Sequence, residues 1–248
     1  MERLDGGRSN IYSDGKKVSR PLNEWSVHVH DFLLYLYKHG FTQVPYPLGI
    51  ADGHEMVSYI EGDVYNGDLS DDAKSDETLI AFAKFIRKYH DIGSEYVKSL
   101  KGDESWMLSI KSQVQTMCHG DLAPYNTVLD RKNIIGLIDF DTLHPGSRLW
   151  DISYALYRWV PLMDESNPEN FGSRLDKQRR LELFLEAYGS DVLDEDDIFK
   201  TVISRLEYLI SFMIKKAEEG DETFVNHEEQ GHLKTYKDDI HYIKLNWL

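Results

Sequence analysis

The sequence predicts an α+β protein in which a small mixed unit precedes a larger, mainly helical one. Three observations carry that reading: short β-prone runs around one amphipathic helix in roughly the first sixty residues, apolar positions at helical spacing through most of the rest, and a few brief strands with polar ends between those helices. A chain of 248 residues with 41% hydrophobic content holds enough apolar material for a substantial core, as one large domain or two modest ones. The division is expected at residues 1–62 and 63–248.

In the first unit, the glycine-bearing turn Gly6-Gly7-Arg8-Ser9-Asn10 leads to short strands at 11–12 and 17–20. A helix over about 24–38 places Val29, Phe32, Leu33, Leu36 and Tyr37 on one face, and Gly40 is a plausible stop. A strand at 56–60 runs into the connector Glu61-Gly62-Asp63. Beyond a polar stretch at 67–76, Leu79, Phe82, Ala83 and Ile86 mark one helix. Ile198, Val202, Ile203, Leu206, Leu209, Ile210 and Met213 mark a longer one. Between them, 114–118, 127–129 and 134–138 read as short strands. The acidic run 194–197 reads as a helix N-terminus, where negative charge complements the macrodipole, and His90-Asp91 reads as the cap region of a helix end.

The balance of 43 acidic against 28 basic residues gives a formal charge of -15, which argues against a surface that neutralises nucleic-acid phosphates or anionic lipid. Cationic small molecules would be drawn to such a field, although solubility alone accounts for it. With one cysteine, Cys118, the chain has no intramolecular disulfide and no cysteine-based zinc cluster. Cys118 itself reads as a small buried hydrophobe. The start Met1-Glu2-Arg3-Leu4-Asp5-Gly6-Gly7 has no apolar signal core, and no stretch approaches the roughly 18 apolar residues of a membrane span. A cytoplasmic location is therefore expected.

The chemistry concentrates in Cys118-His119-Gly120-Asp121-Leu122-Ala123-Pro124-Tyr125-Asn126, followed by Ile135-Gly136-Leu137-Ile138-Asp139-Phe140-Asp141. The first segment has the H-x-D-x-x-x-x-N spacing of a kinase catalytic loop, and the second ends an apolar strand in a carboxylate, where such enzymes hold metal. Phosphoryl transfer needs an aligned nucleophile and neutralised triphosphate charge more than it needs a covalent group. Asp121 fits the base for an acceptor hydroxyl. Asn126 and Asp139 offer oxygens suited to a hard cation such as Mg2+. Asp141, two residues on, would point the same way along a strand and add a direct or indirect metal contact. His119 fits a loop-positioning hydrogen bonder. An Asp or Asn taken singly would be read as a turn former; the ordered set is what points to chemistry.

These motifs resemble the aminoglycoside phosphotransferase family, also called the phosphotransferase enzyme family, along nearly the whole chain. His119 to Asn126 is similar to its catalytic motif, and Ile138-Asp139-Phe140-Asp141 to its metal-binding strand. Arg148-Leu149-Trp150-Asp151-Ile152-Ser153-Tyr154-Ala155-Leu156 resembles the element whose aspartate, here Asp151, opens a helix and braces the loop; an Asp before an apolar helical run is also an N-cap pattern. The resemblance implies a bilobal protein-kinase-like fold that binds ATP or GTP with Mg2+. It implies that Gly7 and Ser9 belong to a turn over the phosphates, with a plain surface turn as the alternative. It gives Arg20 the place of the strand lysine that grips phosphates, and turns the backbone of Ser58, Tyr59 and Ile60 toward adenine. Two departures stand out: the cation is arginine, and the helix offers Glu24, His28 and His30 where an inward glutamate is usual. Either Arg20 pairs with Glu24 or a histidine packs beside it.

The family's acceptor site lies near the helices after the metal strand, which singles out Tyr157, Asp164 and Glu165, the carboxylates as ammonium partners or as a solvated loop. Tyr157 and Trp159, at spacing two, cannot share a helix face, so at least one belongs to the core. The expected activity is a small-molecule kinase acting on an aminoglycoside-like antibiotic or a metabolite, with a role in antibiotic resistance, as a monomer or homodimer. The alternative is a kinase-like immunity protein that sequesters a compound without turnover. A protein kinase is disfavoured, because no Ala-Pro-Glu element or long activation segment follows Asp139.

Overall fold

The computed structural model describes residues 2–3, 10–108, 113–189 and 195–248. Its first layer is a five-stranded antiparallel sheet in the order β1-β2-β3-β5-β4, built from β1 (Glu2–Arg3), β2 (Tyr12–Ser13), β3 (Lys17–Pro21), β4 (Pro47–Ala51) and β5 (His54–Ser58). Helix α1 (Ser26–Lys38) crosses between β3 and β4 and buries Val29, Phe32, Leu33 and Leu36, as the apolar spacing predicts. His39 ends it, and Gly40 follows at φ 75°, a left-handed exit that glycine permits. Strand β4 was not legible in the sequence, because Pro47 and Gly49 break the strand texture; as an edge strand it tolerates both.

The helical part contains α2 (Asp71–Lys74), α3 (Asp76–Tyr96), α4 (Arg148–Trp159), α5 (Arg174–Tyr188), α6 (Glu195–Glu218), α7 (Glu222–Glu229) and α8 (His232–Asn246). Helix α3 is its axis. Leu79, Phe82, Ala83, Ile86 and Tyr89 are fully buried, and Phe82 stacks on Trp159 of α4 with ring centroids 4.4 Å apart. Ser75 caps α3 by accepting the Thr78 N–H, and a reciprocal Ser173–Asp176 capping box starts α5. The acidic run does lie at the start of α6, which begins at Glu195; Asp194 lies outside the described residues. His90 and Asp91 are not at a helix end: they sit inside α3, His90 buried and Asp91 paired with Arg148 at 2.7 Å.

Two small antiparallel sheets occupy the junction. One pairs β6 (Thr116–Cys118) with β9 (His144–Gly146), and the other is the hairpin of β7 (Thr127–Asp130) and β8 (Asn133–Leu137). The hairpin is tied to the first layer on two sides. Asp63 and Leu129 exchange both backbone bonds at 2.9 and 2.8 Å. Gln43 accepts the Leu137 N–H at 3.0 Å and donates its side chain to Ile134 O at 2.8 Å. At the crossing Gly62 has φ 153°, and a Cβ there would stand 2.6 Å from Val128 and 2.8 Å from Leu129 O, so only glycine lets the chain pass.

Helix α8 is fastened by one carboxylate. Asp239, fully buried, accepts the Tyr157 hydroxyl at 2.6 Å, the Asn167 amide at 2.9 Å and the Asp164 N–H at 2.7 Å. Replacing it by alanine orphans three donors at once. Asp239→Ala is expected to lower stability by about 3 kcal/mol, read as a reduced urea midpoint with an unchanged slope.

Candidate active site

Strand β6 delivers the buried His119 and Gly120 to the head of the catalytic loop, and the loop's shape is imposed from outside it. Asp151, in the first turn of α4, accepts the His119 N–H through Oδ2 and the Gly120 N–H through Oδ1, both at 2.8 Å. The same Oδ2 receives His90 Nε2 at 3.0 Å, and His90 Nδ1 meets the Tyr188 hydroxyl at 2.8 Å. Asp151 is therefore a brace, but not the helix cap expected from the sequence: Ser147 caps α4 by accepting the Trp150 N–H. Burial would push the Asp151 carboxyl up, yet the His90 hydrogen bond, the neighbouring histidines and the Gly120 N–H outweigh it and hold it below the ordinary range.

Gly120 is required where it stands. Its φ is 84°, and a Cβ would lie 2.5 Å from Thr142 O. Its carbonyl accepts Arg205 Nη2 at 2.6 Å, and the Arg205 guanidinium lies 4.8 Å from the Tyr154 ring centre. His119 bonds Ile138 O through Nε2 at 2.9 Å, while its Nδ1 accepts the Asp121 N–H at 3.3 Å, so both ring nitrogens orient it. His119 thus positions the loop against the exit of β8.

The carboxylate of Asp121 is half-buried and held at both oxygens. Oδ1 accepts the Tyr125 hydroxyl at 2.7 Å, itself 3.1 Å from the Tyr154 hydroxyl, and Oδ2 accepts Asn126 Nδ2 at 2.9 Å. With Nδ2 also donating to Asp121 O at 3.0 Å, Oδ1 is the atom of Asn126 left for a cation. Burial raises the Asp121 carboxyl above its ordinary value against the Tyr125 hydrogen bond. Because Thr127 pairs with Leu137, Asn126 and Ile138 leave the open end of the β7–β8 hairpin side by side, joined by Ile138 N–H to Asn126 O at 2.9 Å.

Asp139 and Asp141 are not related by strand pleat. Strand β8 ends at Leu137, Asp139 adopts the left-handed conformation with φ 60° and ψ 70°, and one 3-10 turn carries Asp141. A non-glycine residue held there is backbone strain at a site of chemistry. The turn still brings both carboxylates onto one cation: Arg20 Nη1 lies 3.2 Å from Asp139 and Nη2 lies 3.0 Å from Asp141. The two carboxylates that share this cation, and the Asn126 Oδ1 on the neighbouring hairpin exit, are oxygen donors of the kind that could hold Mg2+. Among the described residues no group of three or more His, Cys, Asp or Glu side chains could hold a metal. Phosphate oxygens and water would therefore complete the shell.

Arg20 does not pair with Glu24; a histidine, His30, does stand beside it, on the far oxygen of a shared acid. Its partner is Glu55, directly opposite on β5, whose Oε1 accepts Arg20 Nε at 2.9 Å and Ser26 Oγ at 2.8 Å, and whose Oε2 meets His30 at 2.9 Å. Glu55 is fully buried; burial would raise its carboxyl, but His30, Arg20 and Ser26 hold it below the ordinary value. Desolvation acts against the charge on Arg20, and Asp141, Glu55 and Asp139 overcome it and raise its pKa.

Other expected residues divide. Gly7 and Ser9 lie outside the described residues. Ser58 and Tyr59 spend their N–H groups on Tyr46 O and Lys16 O, both at 2.8 Å, so neither donates to an adenine; Ile60 instead lays its side chain over Gly136. Tyr157 is core, its ring buried and its hydroxyl on Asp239, and Trp159 is core too. Asp164 turns its Oδ1 to the Ser166 N–H at 2.9 Å, and Glu165 is exposed. A cavity of about 360 Å³ opens instead beside Arg20 and Asp141, with Glu24, Trp25, Trp106, Lys216 and Asp221 on its walls.

The Asp151 brace generates a stability prediction. A carboxyl held low in the folded state contributes stability that is present above its unfolded value of about 3.9 and is lost as pH falls through the folded value. Asp151→Asn is expected to destabilise the protein at pH 7 by about 3 kcal/mol and to flatten the loss of stability below pH ~4, read from denaturant midpoints across pH.

Residues 103–184 match the Phosphotransferase enzyme family. The trifolitoxin immunity protein of Rhizobium leguminosarum bv. trifolii is 27% identical over 196 residues, 74% of this chain and 72% of that protein. Spectinomycin phosphotransferase, solved with ADP and spectinomycin, superposes with a TM-score of 0.63 at 12% identity, covering 99% of this chain and 92% of that one. Choline kinase from Streptococcus pneumoniae superposes at 0.59 with 16% identity, covering 95% and 92%. The chain therefore has the bilobal, kinase-like fold of these phosphotransferases, and the segment that carries its catalytic loop, paired aspartates and bracing helix matches the phosphotransferase enzyme family.

Proposed function

We propose that this protein is a small-molecule kinase that moves the terminal phosphoryl group of a magnesium–nucleoside triphosphate to an acceptor hydroxyl. The observation that carries the reading is the convergence of Asp121, Asn126, Asp139 and Asp141 around the exits of one loop and one hairpin. Asp121 orients the acceptor hydroxyl by accepting its hydrogen bond. As the acceptor oxygen bonds to phosphorus, the bond to the bridging oxygen of the leaving diphosphate breaks and the acceptor's proton passes to Asp121. The raised Asp121 carboxyl suits that proton transfer. Asn126, Asp139 and Asp141 would hold Mg2+, which neutralises charge on the phosphates. Residues 1–62 cover the nucleotide, with Arg20 toward the phosphates and Ile60 toward the base. Residues 63–248 supply the loop, the metal groups and most of the acceptor side. The acceptor enters from the cavity beside Asp141, between Trp25 and Trp106.

A second reading, an immunity protein that sequesters a compound without turnover, is favoured by the likeness to trifolitoxin immunity protein. Turnover separates the two. Asp121→Asn is expected to keep nucleotide binding while transfer falls by about 10²–10⁴-fold, measured by calorimetry with Mg-ADP and by ADP release in a screen of aminoglycosides, macrolides and small alcohols. Protection against the compound that survives in Asp121→Asn identifies the binder. Asp139→Ala is expected to abolish metal-dependent nucleotide binding, and an unchanged magnesium dependence in that variant contradicts the assignment. With an acceptor in hand, Trp106→Ala should raise its KM roughly three- to tenfold and leave nucleotide affinity unaltered.

A further inference from the structure

Asp121 is held by two donors of different kinds. Asn126 Nδ2 bonds its Oδ2 at 2.9 Å and its main-chain O at 3.0 Å, an amide from the same loop gripping side chain and backbone together. Tyr125 reaches the other oxygen, Oδ1, at 2.7 Å, and its hydroxyl lies 3.1 Å from that of the buried Tyr154 on α4. A phenol has one hydrogen to give. Tyr125 spends its own on the carboxylate, so the hydrogen between the two phenols comes from Tyr154, and the hydroxyls form a one-way chain from Tyr154 through Tyr125 to Asp121.

Each ring of that chain also carries a guanidinium. Arg158 lies 5.2 Å from the Tyr125 ring centre, kept there by Glu169 at 2.6 Å, and Arg205 lies 4.8 Å from the Tyr154 ring centre, kept there by Gly120 O at 2.6 Å. A cation against the face of a phenol is attracted by the ring's electrons and, by drawing on them, makes the hydroxyl a stronger donor. The terminal torsion of an aspartate is broad and roughly two-fold, so a donor at one oxygen leaves the carboxylate room to swing. Donors at both oxygens fix its plane.

We propose that Tyr125 is a positioning residue for the base, and that through the Tyr154–Tyr125 chain helix α4 sets the plane of the Asp121 carboxylate and with it the direction from which an acceptor O–H can be taken up. The inference rests on the reading of Asp121 as the base. It gives α4 two separate holds on the loop: Asp151 fixes the backbone at His119 and Gly120, and Tyr154 fixes the reactive side chain one residue on. A base held in one direction is what an aligned transfer needs.

The experiment is ADP release from Mg-ATP by the full chain, with water in the acceptor's place, for Tyr125→Phe, Tyr154→Phe, Asp121→Asn and their pairs. Tyr125→Phe keeps the ring beside Arg158 and is expected to lower kcat about ten- to thirtyfold with the KM for ATP unchanged. Tyr154→Phe should lower kcat about fivefold, and Tyr125→Phe/Tyr154→Phe no further than Tyr125→Phe alone. In the Asp121→Asn background, Tyr125→Phe should cost less than about twofold, because a residue that acts through another loses its effect when the other is gone. A merely structural Tyr125 predicts the same loss in both backgrounds. Losses that multiply in Tyr125→Phe/Asp121→Asn, or a kcat within about twofold of wild type in either phenylalanine variant, overturn the proposal while leaving the kinase reading intact. If the wild type releases ADP no faster than Asp121→Asn, with water or with any acceptor of the screen, the base assignment itself is wrong and the inference falls with it.

Discussion

Asp151 carries a negative charge into the buried interior, and the groups gathered around it set the conformation from which the rest of the candidate site is hung. A buried carboxylate is tolerated only when its lone pairs are filled, and here two consecutive loop N–H groups and His90 fill them. That requirement explains several positions together. Gly120 must adopt its left-handed turn for both N–H groups to face one carboxylate, Thr142 must pass within reach of that turn, and His90 must project from the middle of α3. Asp121 follows as the next residue on a loop that no longer has freedom to move.

The second centre, around Glu55, follows the same physics with a different outcome. Asp151 is filled by backbone donors and yields a rigid loop. Glu55 is filled by Arg20, Ser26 and His30, and one of those partners also reaches across to the opposite lobe. The arrangement joins the sheet, α1 and the paired aspartates in one ionic network. It explains why α1 needs no inward glutamate: the acid has moved to the neighbouring strand, and His30 occupies the helix position that faces it.

Much of this was legible in the residues. The order and spacing of His119, Asp121, Asn126 and Asp139 marked the loop and the hairpin exit that the structure sets side by side, and apolar periodicity marked α1, α3 and α6. Glu55 was not legible, since its role depends on which strand lies beside β3, and cross-strand pairing leaves no local signature. The available hint was a glutamate on the inward side of β5, where His54-Glu55-Met56-Val57 alternates outward and inward. The burial of Tyr157 was not legible for a related reason: Asp239, far along the chain, draws its hydroxyl into the core. The walls of the cavity come from Ile11, the end of β3 and its link to α1, the 105–107 segment, Asp141 and the α6–α7 junction, stretches that no local pattern connects.

The narrow crossing at Gly62 bears on how the two lobes can move against each other. Immediately after it, Asp63 and Leu129 exchange backbone bonds, and Gln43 clasps the hairpin from its other strand, so the two lobes are laced together along the rear of the cleft. Stitching of that kind leaves little slack for twisting or sliding. Relative movement of the sheet and the hairpin is thereby reduced to a gape about that seam, with Arg20 and its two aspartates as the clasp between them.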